Sequence, residues 1–370
     1  MDRIILKILD EELNFVGSIK KYASFYFVLN FNRAKEFQLI APIKYEKILK
    51  EDYYIYVSRK KSFIINYVKS EEDKGIVTVR GKHVMNELKN WITLPLTGLD
   101  YDVITGDAET VLKHYINSNC VNPQDTERKG MFFEIAPNLN RGSRIHRESS
   151  HKNLLEEVEE IAKSIDIGWI VELDYVRKKL IFDVYEGVDR AYSQDINNKV
   201  IMSKKRKNIE NVITTRDISD YKNVNYVAGQ GEGAERKIAI VRDPNQTFMK
   251  RREMFTDARD IGDDSETTLE DRGLAKLGEA SYIYRSESTI VDKNSKYEES
   301  WNLGDLVTVQ DGLGQLDYRV NEVKEVHEPL KKVDVVIGNI GLNVLERLNK
   351  NTLIYPGTQS LKSIDGGGFT

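Results

Sequence analysis

A single cysteine, Cys120, stands in 370 residues. One thiol can build neither a disulfide framework nor a thiolate metal cluster, so the chain suits a reducing compartment. Long apolar runs are missing as well. No stretch approaches the ~20 apolar residues of a membrane helix, and residues 4–9 are too short and too interrupted for a signal peptide. Charge of one sign is not in excess either. Lys plus Arg number 55 and Asp plus Glu 59, a net charge of −4, so nothing global asks for nucleic acid. An exit from the cell that needs no signal peptide, such as packaging into a particle, stays open. There is no low-complexity block and no short-period repeat. Trp is scarce at 3 residues, whereas Tyr at 19 exceeds Phe at 12. Tyr suits β-surfaces and protein contacts, because its ring buries while its hydroxyl stays satisfied.

What is there reads as several β-rich domains. The length leaves room for two to four cores, with ordinary apolar and charged content for globular protein. The clearest pattern spans 301–338. Val307 and Val309 share one face of a short strand, and Asp311-Gly312-Leu313-Gly314 supplies a hairpin turn. A long strand follows, in which the apolar phase slips between Val320, Val323 and Val326. Such a slip predicts a bulge, the device that bends a strand around a barrel. After a turn at Pro329, Val333, Val335 and Ile337 form the last strand.

The first ninety residues are also β-rich. Leu6 and Ile8 alternate, and Phe25, Phe27, Leu29 and Phe31 line one face of a second strand. Strands at 53–57, 62–68 and 76–80 follow, and Gly81 precedes a predicted helix carrying Val84, Leu88 and Trp91. Pro95 and Gly98 mark a break. Val111, Leu112, Tyr115 and Ile116 then make one helical stripe, and Leu154, Leu155, Val158 and Ile161 another. Between them, 119–147 has turn composition with few apolar residues, except around Met131-Phe132-Phe133. A hairpin at 168–173 and 180–184 is predicted to lie against the second helix. Residues 191–210 read as a polar linker, 211–215, 223–228 and 237–242 as strands, and 248–261 as charged. Thr267-Thr268-Leu269-Glu270 fits a capping box for a helix over Leu274 and Leu277. The end, with Gly366, Gly367 and Gly368, is expected to be mobile.

No motif on this scaffold carries convincing chemistry. Gly229-Gln230-Gly231-Glu232-Gly233-Ala234 satisfies a loose dinucleotide fingerprint, but a strand rather than the required helix follows, so it reads as a Gly-rich turn. Lys204, Lys205, Arg206 and Lys207 read as a solvated loop, or an interface toward an acidic partner. Among His83, His114, His146, His151 and His327, no spacing completes a zinc motif. Cys120 lacks an orienting partner and reads as packing. Glu156, Glu157, Glu159 and Glu160 are expected on the wet face of their helix. Asp257, Asp260, Asp263 and Asp264 are expected in a polar loop with poor calcium spacing. No Gly-x-Ser-x-Gly elbow occurs. No catalytic, cofactor-binding or metal-ligating residue is assigned.

Several segments, taken in order, nevertheless resemble a known family. They are Val77-Thr78-Val79-Arg80-Gly81; Gly168-Trp169 before a hairpin ending Tyr185-Glu186-Gly187-Val188-Asp189-Arg190; Asn223-Val224-Asn225-Tyr226-Val227-Ala228-Gly229 with Arg236; Arg252-Glu253 with Asp257-Ala258-Arg259-Asp260; and Gly304-Asp305-Leu306-Val307. Over roughly 1–345 the chain resembles the tail-hub (baseplate hub) proteins of siphophages and prophages, which are similar to the trimeric hub of contractile phage tails.

The resemblance implies an α+β, β-rich fold with two tube-like β-barrel domains and α+β insert domains. The expected parts are a barrel at 1–98, an α+β domain at 99–200, and a second barrel from 201–240 and 280–345. A small helical or loop insert is expected at 241–279 and a flexible tail at 346–370, and the stretch Leu342 to Thr370 is too short for a receptor-binding or hydrolase domain. The implied protein is a structural, non-enzymatic virion component. It would be a homotrimeric ring that adapts the tail tube to the tip, using strand edges and aromatic residues as interface. Its implied partners are the distal tail protein, the tail tube protein and tip or fibre proteins, with DNA only in transit. It needs no cofactor and no membrane segment. Two other readings stay open: a tail-tip cell-wall or capsule hydrolase of the prophage endopeptidase type, and a carbohydrate-binding module using Tyr and Trp platforms.

Overall fold

The computed structural model describes residues 4–242, 250–259, 261–262, 268–280, 282–291, 295–311, 314–328 and 331–339. They fall into two compact units, one drawn from 4–220 and 282–339, the other from 221–280. The expected tail at 346–370, the turn residues Gly312, Leu313 and Pro329, and Asp260, Asp263, Asp264 and Thr267 lie outside the described residues.

The first unit begins with seven strands: β1 (Leu6–Leu9), β2 (Phe15–Ile19), β3 (Ser24–Asn30), β4 (Glu36–Pro42), β5 (Tyr54–Ser58), β6 (Lys61–Glu71) and β7 (Ile76–His83). They lie side by side in the order β3-β4-β7-β6-β5-β1-β2, all antiparallel. Period-2 alternation makes this possible, because it collects the apolar side chains on one face. Leu6, Ile8, Phe25, Phe27, Phe37, Leu39, Phe63, Val77 and Val79 form a single buried cluster there. The helix predicted after Gly81 is a short 3₁₀ helix, Val84–Asn90, whose first turn is held by Met85 N donating to His83 Nδ1.

An α+β segment follows: β8 (Asp102–Asp107), α1 (Ala108–Ile116), β9 (Phe133–Ile135), β10 (Arg144–Ser149), α2 (Leu154–Ser164), β11 (Gly168–Asp174) and β12 (Lys179–Tyr185). Both helical stripes and the hairpin are present. Val111, Leu112, Tyr115 and Ile116 are buried with Leu154, Val158 and Ile161, against Trp169, Val171, Phe182 and Val184. Asp107 caps α1 and Asn153 caps α2 through backbone N–H groups. Turn composition over 119–147 concealed β10, and the apolar exception at Met131-Phe132-Phe133 leads into β9. β10 pairs with β8, and only Ile104 and Ile145 of that ribbon pack on the core, which is too little alternation to read in advance. One expectation is corrected. Glu157 is buried, not on the wet face, because its position between Leu154, Val158 and Ile161 turns it inward, where Arg147 and Lys152 pair with it.

The chain then adds β13 (Ile201–Ser203) and β14 (Ile209–Asp217) and passes through the second unit. That unit holds β15 (Val224–Ala228), β16 (Ile238–Arg242), β17 (Glu253–Asp257) and α3 (Leu269–Glu279). Back in the first unit come β18 (Ile283–Ile290), β19 (Leu306–Asp311), β20 (Gly314–His327) and β21 (Lys331–Asn339). The main sheet runs in the order β14-β18-β21-β20-β3 and onward to β2, with β19 and β13 branching from β20. Of the stretch 201–240 expected with the last strands, β13 and β14 enter the main sheet, whereas β15 pairs with β16 and β17 in a sheet of its own. In that separate sheet Tyr226 registers with both Ile240 and Phe255. The opposite face buries Val227 and Val241 with Leu277 of α3. α3 starts one residue later than expected, with Thr268 as cap and Asp271 closing the box.

The predicted bulge is present and organises the sheet. Register shifts between Val320 and Glu322. Before it, β20 pairs with β19; after it, from Glu322 to His327, with β3. The N-terminal and C-terminal strand sets are therefore joined at one kinked strand. The fold is α+β and β-rich, with three α-helices among the described residues.

Candidate assembly site

After the bulge the inward phase of β20 carries Asn321, Val323, Glu325 and His327, all buried. A carboxylate in that position costs several kcal/mol unless paired. Glu325 is paired heavily. Lys61, from the start of β6, brings Nζ to 2.5 Å from its Oε1, and Lys331 brings Nζ to 2.9 Å from Oε2. His327 Nε2 lies 3.3 Å from the same Oε2. Burial alone raises the carboxyl, but His327, Lys61 and Lys331 outweigh it and hold it at about 2. Lys61 also donates to Glu298 at 2.8 Å, while the His327 ring stacks on Phe25 and Phe27. β6 and β20 are not neighbours in the sheet. The ion pair therefore ties the curved sheet across its face, where no ladder hydrogen bonds reach.

A second junction fastens the end of β12 to the turn before β19. Asp305, 2% exposed, accepts from Val188 N at 2.9 Å, Arg190 Nε at 2.7 Å and Asn302 N at 2.9 Å. Backbones meet so closely that a Cβ on Gly187 would lie 1.7 Å from Gly304 O. Arg319 completes the junction: its guanidinium lies over Phe31 at 4.7 Å, donates to Gly304 O, and pairs with Asp166 at 2.8 Å.

In the second unit, Arg236 secures the Gly-rich turn between β15 and β16. Its guanidinium donates to Gly229 O at 2.9 Å and Ala228 O at 3.0 Å, and pairs with Asp257. Gly231 sits at φ 102°, a conformation glycine alone adopts at little cost. The turn leads into strand β16, so the dinucleotide fingerprint has no helix to offer a pyrophosphate.

The remaining candidates are scattered. His83 is buried with Nε2 2.9 Å from Lys60 O, and burial lowers it to about 4. His114 pairs with Asp102 at 2.7 Å, and His146 meets Thr105 Oγ1 at 2.7 Å. His151 meets Ser150 Oγ at 2.8 Å. Cys120 is buried, its thiol pushed up to about 12 by burial, which makes it inert packing. Lys204 to Lys207 form an exposed turn. Among the described residues, no three His, Cys, Asp or Glu side chains are placed to hold a metal, and no helix is long and apolar enough to cross a membrane. Glu325, Lys61 and Arg319 went unread in the sequence. Glu325 lies at an inward position once the bulge is allowed for, but nothing local names a lysine 264 residues away as its partner.

Residues 5–339 match the family model described as siphovirus ReqiPepy6 Gp37-like protein. The chain belongs to that family. Among solved structures, it is similar to the prophage tail protein gp18 from Listeria monocytogenes EGD-e. The identity is 15% and the TM-score 0.58, covering 95% of this chain and 99% of that one. It is likewise similar to a tail protein from Neisseria meningitidis MC58, with 14% identity, TM-score 0.57 and coverage of 92% and 97%. A 43 kDa tail protein of prophage MuSo2 from Shewanella oneidensis gives 11%, 0.56, 90% and 97%. At such identities the likeness is one of fold. No curated protein matches the chain in sequence. In this Gp37-like chain, several segments that carry the resemblance meet in close contacts: Gly187 on Gly304, Asp305 on Arg190, and Arg236 on Gly229 and Asp257.

Proposed function

We propose that this chain is a structural component of a phage or prophage tail, and specifically its hub. In this reading three copies form a ring that adapts the tail tube to the tip and leaves a channel for DNA. The tube-like barrels are the strand sets within 1–98 and within 201–217 and 283–339. Its partners are the distal tail, tube and tip or fibre proteins, its place is the virion tail, and it performs no catalysis. The observation that carries the reading is the fold likeness to tail proteins, two of them from prophages, which takes in nine-tenths or more of this chain and nearly all of theirs. Family membership over 5–339 agrees with it. The open main sheet supports ring formation, because among the described residues the strands at both ends of its path, β14 and β2, pair on one side only.

Light scattering coupled to size exclusion tests the oligomer directly. A mass three times that of the chain, with rings in negative stain, is expected. A chain that remains monomeric even with its tail partners present rules the hub reading out.

A further inference from the structure

The sheet of the second unit has two unlike faces. One packs Val227 and Val241 with Leu277 of α3. The other carries a row across all three strands, Ile240, Tyr226 and Phe255 in register, with Ile238 beside it. Ile238 is 56% exposed, Ile240 50% and Phe255 61%. A sheet face left to water ordinarily turns polar side chains outward, and contiguous exposed apolar groups mark a surface that another element covers. The charges nearest Phe255 are engaged within the unit, Arg251 with Glu253 and Arg236 with Asp257. The face therefore asks for apolar contact rather than for an ion pair.

We infer that residues 342–355 of the same chain cover this face as an amphipathic helix. They lie outside the described residues, and two observations select them. The first is position. Asn339, the last residue of β21, lies opposite Tyr284, and residues 281–283 alone separate Tyr284 from Ala280, which follows α3. Lys222 N donates to Ala280 O at 2.9 Å, and β15 starts at Val224. The chain beyond Asn339 thus starts beside its own connection to the second unit, near the end of the strand that carries Tyr226. The second is pattern. Leu342, Leu345 and Leu348 recur every third residue with Val344 beside them, while Glu346, Arg347 and Lys350 fall on the other side. Pro356 and Gly357 follow as stop signals. As a helix 342–355 spans about 21 Å, which matches the ~17 Å length of five-residue strands. The sheet then has a helix on each face, a stable layering. This docking does not depend on the ring.

The test uses the full chain with Ile240→Cys and Leu345→Cys, against the control Glu270→Cys with Leu345→Cys. Glu270 is exposed on α3, across the sheet from the open face. Under mild oxidation the first pair is expected to close a disulfide within one chain, unchanged on dilution and roughly fivefold above the control. Amide hydrogen exchange gives an independent reading. Residues 342–352 are expected to exchange roughly tenfold slower than a free chain, and Leu345→Asp with Leu348→Asp to remove that protection. Linking no better than the control, with unprotected amides, overturns the docking. Disulfides that join two chains overturn it as well, and put a second copy on the face.

Discussion

At the residue scale, the buried Glu325 shows how a costly group is made favourable. Isolated burial would raise its pKa. It sits instead at about 2 against an ordinary 4.5, because two lysines and a histidine surround it. Its folded value is depressed, so its contribution is present above pH 4.5 and is lost as pH falls toward 2. Removing Lys61 leaves the carboxylate under-compensated in the interior. Lys61→Met is therefore expected to cost about 3 kcal/mol at pH 7. Urea denaturation at pH 7 and again near pH 2.5 measures this. The loss should shrink at the lower pH, and an equal loss at both would point to packing by the lysine stem instead.

At the element scale, β20 controls the architecture. Its phase slip, visible as Val320, Val323 and Val326 out of step, marks the place where pairing passes from β19 to β3. A second element-level joint is the contact of Gly187 with Gly304. With Gly304 O 1.7 Å from where a Cβ would stand, neither backbone can yield without disturbing Asp305 and its bonds to Val188 and Arg190. Gly187→Ala is expected to destabilise the first unit by about 3 kcal/mol or more. Hydrogen exchange should locate the loss at 186–190 and 302–306. Unchanged protection there would mean that the joint carries little stability.

At the scale of the whole molecule, opposed titrations shape stability against pH. Burial lowers His83 to about 4 from 6.5, so stability rises with pH between those values. Burial, helped by Asp52 and opposed by Lys89, raises Glu87 to about 7 from 4.5, so stability falls with pH across that window. The two nearly cancel between pH 4.5 and 6.5. Below 4.5, Glu109 and Glu325, both held at about 2 by their cationic partners against the effect of burial, withdraw their support. A nearly flat profile between pH 4.5 and 6.5, with a decline below it, is expected. Glu87→Gln removes one of the two opposed terms. It should gain about 1–3 kcal/mol at pH 7 and nothing at pH 4. Chemical denaturation at pH 4, 5.5 and 7 measures the slope, and an unaltered profile would show that Glu87 is solvated.

Local order was legible because its causes are local. Period-2 alternation set Phe25, Phe27 and Leu29 on one face, 3.6-residue spacing set the α1 and α2 stripes, and the phase slip located the bulge of β20. The same rules lost β8 and β10, where only Ile104 and Ile145 face the core. They also placed Glu157 in water, because its charge outweighed its position. What pairs with what belongs to the tertiary structure. The union of β20 with β3, the separation of β15 and β16 from the main sheet, and the bridge from Lys61 to Glu325 join residues far apart in the chain. Such contacts form only when packing offsets the entropy of closing long loops, a balance over the whole chain that no short window of sequence contains.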